Sequence, residues 1–208
     1  MSGGYGIQGL SPHETAVLVL GMQNDYCHEL GVYGRTGHDL TGVQMAASQT
    51  DELLVASRAA GCATVFIRSE HGSGDAAVRQ SLRRMQIHPP HAVANTWGAE
   101  FFLAPTTDDI ILTKHRYSAF ANTRLEQTLR DRGITSVVVV GIQTHVAVLA
   151  TVIAACDLDF RVVVPENAVA SYSTGMSDWA MLTIGSSFGT VVTSEILTEH
   201  WKSLTHMA

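Results

Sequence analysis

The chain has 208 residues, of which 46% are hydrophobic and 15% charged, and its formal net charge is −6. This length suits one large domain, and the composition excludes a disordered chain. The acidic balance argues against nucleic-acid binding, which needs basic patches. We see no basic segment followed by an apolar run at the start, and polar residues break the long apolar run at 137–155. We therefore expect neither a signal peptide nor a membrane span.

The cysteines indicate a reducing compartment. There are three, Cys27, Cys62 and Cys156, an odd number with no metal-type spacing. We expect them to be small buried hydrophobic residues of a cytoplasmic protein. No internal repeat or linker divides the chain, so we predict a single domain over 1–208 with a flexible, Gly-rich N-terminal arm at 1–13.

The apolar runs and turn signals predict strands that alternate with helices. In chain order the elements are a strand at 15–20, a helix at 39–60, a strand at 63–68, a short helix near 76–85, a strand at 109–113, a helix from 123 that Gly133 stops, a strand from 136 that Gly141 ends, a helix at 145–156, a strand at 161–164, a helix at 175–184, a strand at 189–192 and a last helix capped by Thr193. Such alternation predicts a mostly parallel sheet covered on both faces, a three-layer α/β/α fold.

Ligands of parallel sheets bind beyond the carboxyl ends of the strands. Three polar segments follow strands at this edge: 21–28, 114–117 and 143–147. In the stretch SVVVVGIQTHVAVLATVIAACDLDF, from Ser136 to Phe160, a valine-rich strand passes through a tight turn into a helix. The start of such a helix directs unpaired N–H groups towards the sheet edge, where a nucleophile or an anion is well placed.

Five segments carry a resemblance to a known family: VLVLGMQNDYC, NTWGAEF, TKHRYSAF, RGITSVVVVGIQTHVAV and VVVPENAVAS. Together they resemble the isochorismatase-like hydrolases, or cysteine hydrolase superfamily, over about 15–197. The resemblance implies a six-stranded sheet of order 3-2-1-4-5-6, a homodimer or homotetramer, a small-molecule substrate and no cofactor. It also implies an Asp that accepts a proton, a Lys that steadies charge, a Cys that attacks an amide carbonyl, and an oxyanion hole of backbone N–H groups, often beside a cis peptide.

Only one of the three catalytic side chains matches. Lys114 stands in the Lys position, but the Asp position holds Gly21 and the Cys position holds Ala147. A methyl group cannot attack a carbonyl, and glycine cannot accept a proton. The cysteine mechanism therefore does not carry over. True isochorismatases also lack the Cys and share a histidine at the place of His145, yet they keep the Asp, so the likeness to that branch is only partial.

Lys114 and His145 are the candidate catalytic residues. Without its usual Asp partner, we expect the pKa of Lys114 to be lowered, so that the amine acts as a base or forms a Schiff base. Alternatively it is a solvated lysine. His145 either donates to a substrate oxygen and moves protons, or is a supporting histidine bonded to the backbone.

The candidate substrate-binding residues lie at the same sheet edge. They are Gly21, Tyr26, Trp97, Tyr117, Phe120, Gln143, Thr144 and Ala147. We expect the aromatic residues to line a site for a flat substrate, with core packing as the alternative. Gly21 and Ala147 should leave room where two side chains would stand, and the turn at 143–144 should offer an anion-binding nest.

Other polar residues near the strand ends are weaker candidates. Asp25 is either a recruited base or a structural carboxylate that binds loop backbone. His28, Glu70 and His71 lack the Asp-x-His spacing of metal-binding relatives, so we predict no metal. Two functions stay open: an enzyme without cysteine chemistry that hydrolyses, eliminates or rearranges a small carbonyl-bearing or anionic metabolite, and a catalytically inactive binder or structural subunit of the same fold.

Overall fold

A computed structural model of the protein describes residues 6–71 and 90–205. The short helix predicted near 76–85 lies outside these residues. No helix in the described parts of the chain is long and apolar enough to cross a membrane.

Seven strands form one sheet in which every pairing is parallel. They are β1 (Thr15–Leu20), β2 (Ala63–Ser69), β3 (Ile110–Lys114), β4 (Ser136–Ile142), β5 (Arg161–Pro165), β6 (Val169–Ala170) and β7 (Thr190–Val192). The order is β3-β2-β1-β4-β5-β7, and β6 pairs with the end of β4. The predicted parallel fold and its order are confirmed; the two-residue β6 was not predicted, and the sixth predicted strand is β7.

Helices cover both faces of this sheet. They are α1 (Asn24–Cys27), α2 (Val32–Arg35), α3 (Thr41–Ala60), α4 (Leu125–Arg130), α5 (Leu149–Asp157), α6 (Thr174–Ser187) and α7 (Ser194–Thr205). One core cluster joins α3 and α7 to one face, and a second joins α4, α5 and α6 to the other. Because both faces are covered, every residue of the central strands β1 and β4 is buried, which explains their continuous apolar runs.

The strand β4 does not end at Gly141, as predicted, but continues to Ile142. Gly141 pairs with Leu20 inside the sheet and has a φ of 121°. A Cβ at this position would clash with the backbone of Leu20. The glycine is therefore required by close packing of two strands rather than by a turn.

The helix that follows β4 also differs from the prediction. It begins with a π-helical turn, Thr144–Val148, and becomes α-helical only over Leu149–Asp157. The end signals of α3 hold in part. Gly61 ends the helix with a φ of 90°, as predicted, but the N-cap is Leu40, and Asp39, one residue earlier, accepts from the Thr41 N–H at 2.9 Å.

Residues 6–13 of the predicted N-terminal arm dock on the rest of the domain. Leu10 is fully buried, and its carbonyl accepts from His200 Nε2 on α7 at 3.1 Å. Arg161 Nη2 donates to the carbonyl of Gly6 at 2.7 Å. These contacts hold the arm against the core, which the Gly-rich composition alone did not indicate.

Candidate functional site

Tyr33 of α2 lies in the segment that follows β1, and its pKa is influenced by residues that follow β3 and β4. Burial raises the pKa of Tyr33, a hydrogen bond with the Gln143 side chain opposes this rise, and the nearby Tyr117 adds to it. Tyr33 therefore has neighbours from the loop after β3 and from the end of β4. Tyr117 and Gln143, which the sequence had placed at the same sheet edge, thus both influence the pKa of Tyr33.

Lys114 is the last residue of β3, and only 3% of its surface is exposed. Its Nζ donates to the carbonyl of Arg116 at 2.9 Å. The ion pairs among the described residues join Arg58 to Asp109, Arg68 to Glu70 and Arg130 to Glu126, so none of them involves this amine. Burial lowers the pKa of Lys114 from 10.5 to about 8, because a charged amine is costly to desolvate.

Gly21 does not leave the room that the sequence predicted. Its φ is +62°, and a Cβ there would lie 2.8 Å from the carbonyl oxygen of Ile142. Its own N–H donates to the carbonyl of Ile67 on β2 at 3.1 Å. The peptide between Ile142 and Gln143 is cis. The expectation is therefore wrong at this position, because the backbone of β4 occupies the space beside the Gly21 Cα.

The turn after β4 folds around the carbonyl of Gln143. The N–H groups of Val146 and Val148 both donate to it, at 3.1 and 3.2 Å. Within residues 6–71 and 90–205, the N–H groups of Thr144 and His145 have no backbone acceptor. Backbone N–H groups without an acceptor at the start of a helix are what an anion-binding turn needs. Ala147 lies in the same turn and is 8% exposed.

Two side chains of this turn are bound by the segment that follows β6. Thr144 is fully buried, and its Oγ1 accepts from Ser177 Oγ of α6 at 2.9 Å. His145 Nδ1 lies 2.8 Å from Ser171 Oγ, and burial lowers the pKa of His145. His145 is thus oriented by a hydroxyl group and not by the backbone bond that the sequence had offered as its alternative.

The predicted aromatic residues divide between the site and the core. Tyr26 is buried against Tyr33, with ring centroids 5.5 Å apart. Trp97 and Tyr117 are 45% and 46% exposed and are available to a ligand. Phe120, in contrast, stacks on Phe160 at 5.8 Å. Because Phe160 precedes β5 and belongs to the core, this stacking favours core packing, the alternative that the sequence had left open for Phe120.

A cluster of rings beside the site was missed by the sequence reasoning. Its members are Tyr26, Tyr33, His38, His91 and Tyr172. Tyr33 and Tyr172 stack at 4.5 Å with an angle of 17° between their planes, and burial lowers the pKa of His91 to about 4. These residues come from three distant parts of the chain, so no local pattern could have joined them.

Asp25 binds the backbone of the loops around these rings. Its Oδ1 accepts from the Val32 N–H at 3.1 Å and its Oδ2 from the Ala92 N–H at 2.7 Å. Both carboxylate oxygens are thereby engaged with loop backbone, which favours the structural alternative for this residue. Where the structure describes the chain, no three His, Cys, Asp or Glu side chains group closely enough to hold a metal ion.

Comparisons with known proteins agree with this architecture. The family model of the isochorismatase domain matches residues 15–196. A ureidoacrylate amidohydrolase, RutB, of Agrobacterium fabrum is 32% identical over 175 residues, which cover 76% of this chain and 77% of that protein. Among solved structures, a cysteine hydrolase from Pseudomonas syringae pv. phaseolicola has a TM-score of 0.84 at 26% identity, covering 98% of this chain and 99% of that one.

A nicotinamidase/pyrazinamidase, PncA, from Bacillus subtilis is also similar. It has a TM-score of 0.73 at 26% identity and covers 86% of this chain and 99% of its own. The family match spans most of the strands and helices described above, including the ends of β1, β3 and β4. The chain therefore belongs to the isochorismatase family of hydrolases.

Proposed function

We propose that this protein is an isochorismatase-family enzyme that acts on a small carbonyl-bearing or anionic metabolite without a cysteine nucleophile. The observation that carries the proposal is Lys114, a buried amine at the end of β3 whose hydrogen-bond partner is a backbone carbonyl. A protein rarely keeps a buried, unpaired ionisable group unless the group has a function.

The names of the relatives support a small substrate. RutB is named for the hydrolysis of an amide of ureidoacrylate, and PncA for nicotinamide and pyrazinamide. Each of these names denotes a small molecule with a carbonyl group, and ureidoacrylate also carries a carboxylate. A metabolite of this class would offer oxygen atoms that an amine such as Lys114, or the N–H groups of a turn such as 143–145, can bind.

The chemistry differs from that of a cysteine hydrolase, because Gly21 and Ala147 supply neither a proton acceptor nor a sulfur. We assign the chemistry to Lys114, His145 and water. These groups suit hydrolysis, elimination or rearrangement without an acyl-enzyme intermediate. The assembly, as a homodimer or homotetramer, and the cytoplasmic location stay predictions.

A second function is a catalytically inactive member of the family that binds a ligand or a related subunit. The observation that favours it is the carbonyl of Ile142, which fills the space beside Gly21. With this space filled, the site offers no room for a side chain at position 21, and it needs no turnover to bind a small anion.

A ligand screen followed by turnover assays separates the two functions. Purified protein is heated with a panel of small amides, keto acids and carboxylates, and each stabilising compound is then assayed for conversion. The enzyme predicts conversion that Lys114→Ala abolishes and Lys202→Ala retains, since Lys202 is exposed on α7. Stabilisation without conversion in all three proteins would establish the inactive binder instead.

A further inference from the structure

The lysine content of the chain is unusual. It has two lysines, Lys114 and Lys202, against eleven arginines. One lysine is buried at the end of β3, and the other is exposed on α7. Arginine is effectively always protonated, whereas a lysine amine can lose its proton and become a nucleophile. Lys114 therefore differs from the arginines because its amine can lose its proton, and from Lys202 because it is buried.

We propose that Lys114 is a nucleophile that forms a covalent imine with an aldehyde or a ketone bound at the carboxyl edge of the sheet. The proposal deepens the proposed function and rests on it, because it names the substrate class of the same site. A carbonyl compound replaces the amide of the cysteine hydrolases as the group attacked, and nitrogen replaces sulfur as the attacking atom.

The surroundings of Lys114 suit this role in three ways. The amine has no carboxylate partner among the described residues to hold its proton. Its bond to the carbonyl of Arg116 uses one N–H and fixes the nitrogen at the strand end. Burial lowers its pKa to about 8, so that a substantial share of the amine is neutral near pH 8.

The covalent step is balanced without a further reagent. The lone pair of the neutral amine forms a C–N bond to the carbonyl carbon, and one N–H proton passes to the oxygen to give a carbinolamine. A second proton, taken from water, makes this oxygen leave as water, and the product is a protonated imine. Where the neighbouring carbon carries a hydrogen, the positive nitrogen draws electrons from that C–H bond, the proton passes to water and an enamine forms; glyoxylate, which lacks such a hydrogen, stops at the imine.

Neighbouring groups are placed to hold the rest of such a substrate. Tyr117, three residues after Lys114, and Gln143, just after β4, both influence the pKa of Tyr33. Burial raises the pKa of Tyr33, so its hydroxyl keeps its proton and remains able to donate to a substrate oxygen. The N–H groups of Thr144 and His145 can receive a carboxylate. An α-keto acid or α-aldehyde acid fits this pattern best.

Reductive trapping tests the inference on the intact protein. Glyoxylate and, separately, the uncharged propanal are added with sodium cyanoborohydride at pH 8, and the labelled lysines are located by peptide mass spectrometry. We expect glyoxylate to label Lys114 at least about tenfold faster than Lys202. The label should disappear in Lys114→Arg and Lys114→Met and persist in Lys202→Arg. Two replacements of Lys114, one charged and one apolar, guard against a variant that does not fold.

The outcomes distinguish this inference from the proposed function. If Lys114 stays unlabelled while Lys114→Met loses ligand stabilisation or conversion, Lys114 acts only as a cation, and the imine is refuted although the site stands. If Lys114 is neither labelled nor needed for any ligand, both proposals fall. Equal labelling by glyoxylate and propanal would retain the imine and refute the preference for an anionic carbonyl.

Discussion

Two buried charged residues near the sheet edge, Asp25 and Lys114, have opposite surroundings. Asp25 receives hydrogen bonds from the backbone N–H groups of Val32 and Ala92 on its two oxygens. Lys114 gives one hydrogen bond, to the carbonyl of Arg116. The carboxylate is thus built into the loops around it, whereas the amine retains bonding capacity for a ligand. The comparison teaches that burial alone does not distinguish the two charges, and that our proposal for Lys114 rests on its unused bonding capacity.

The largest expected effect is on stability, at Asp25. In Asp25→Ala the two backbone N–H groups lose their buried acceptor, and we expect the free energy of unfolding to fall by about 3 kcal/mol. Urea denaturation measures this change, with Asp178→Ala on the exposed face of α6 as the matched control. A loss as small as that of the control would mean that Asp25 does not organise the loops.

Lys114→Met should affect stability in the opposite direction. The pKa of Lys114 in the folded state is about 8, below its ordinary value of 10.5, so the fold disfavours the charged amine. Below pH 8 the amine is protonated in both states, and the fold bears the cost of burying it, about 3 kcal/mol at most. Between pH 8 and 10.5 the unfolded chain binds more protons, so wild-type stability rises with pH.

The gain of Lys114→Met over wild type should therefore be greatest below pH 8 and vanish towards pH 10.5. Unfolding curves of both proteins from pH 6.5 to 10.5 give this difference directly. If the difference in stability between the two proteins did not change with pH, burial would not perturb the pKa of Lys114. The contrast with Asp25 would then fail.

The close approach of β1 and β4 can be tested with a smaller change. Gly21→Ala adds a Cβ at positive φ that also meets the carbonyl of Ile142, whereas Gly133→Ala adds one at a φ of +69° with nothing within 4 Å. We expect about 1 kcal/mol of destabilisation at Gly133 from the backbone conformation alone, and about 2 kcal/mol at Gly21. Thermal unfolding measures both changes. Equal losses of stability would show that the contact with Ile142 adds no cost at Gly21.

The smallest expected effect on stability is that of Ala147→Cys. The methyl group of Ala147 is 8% exposed, so a sulfur atom should fit at a cost below about 1 kcal/mol. Burial raises the pKa of Cys27 and Cys62 to about 12, so a new thiol at 147 should react with iodoacetamide before these two. We expect no amide hydrolysis, because Gly21 supplies no proton acceptor. Turnover of an amide by this single variant would contradict our account of the site.

Much of the fold was predictable because its signals are local. The apolar runs of β1 and β4 are buried on both faces, and Gly61 has the positive φ that ends a helix. The two-residue β6 is too short to leave a pattern. Gly141 was misjudged because its role is to admit the backbone of Leu20, a contact between strands far apart in sequence.

The site was predictable only in part for the same reason. The position of Lys114 was predictable because it lies at the end of a strand, β3. The carbonyl beside Gly21, the packing of Phe120 on Phe160 and the stacking of Tyr33 on Tyr172 are all long-range contacts. Sequence spacing says nothing about them, since they depend on how loops fold over the sheet edge.

The most direct test of the central claim is the titration of Lys114 itself. With two lysines in the chain, ¹³C-lysine labelling gives two Cε signals, and Lys114→Arg assigns them. Our account predicts that the Lys114 signal titrates near pH 8 and shifts when glyoxylate is added. A titration near the ordinary lysine value of 10.5, unaffected by glyoxylate, would contradict it.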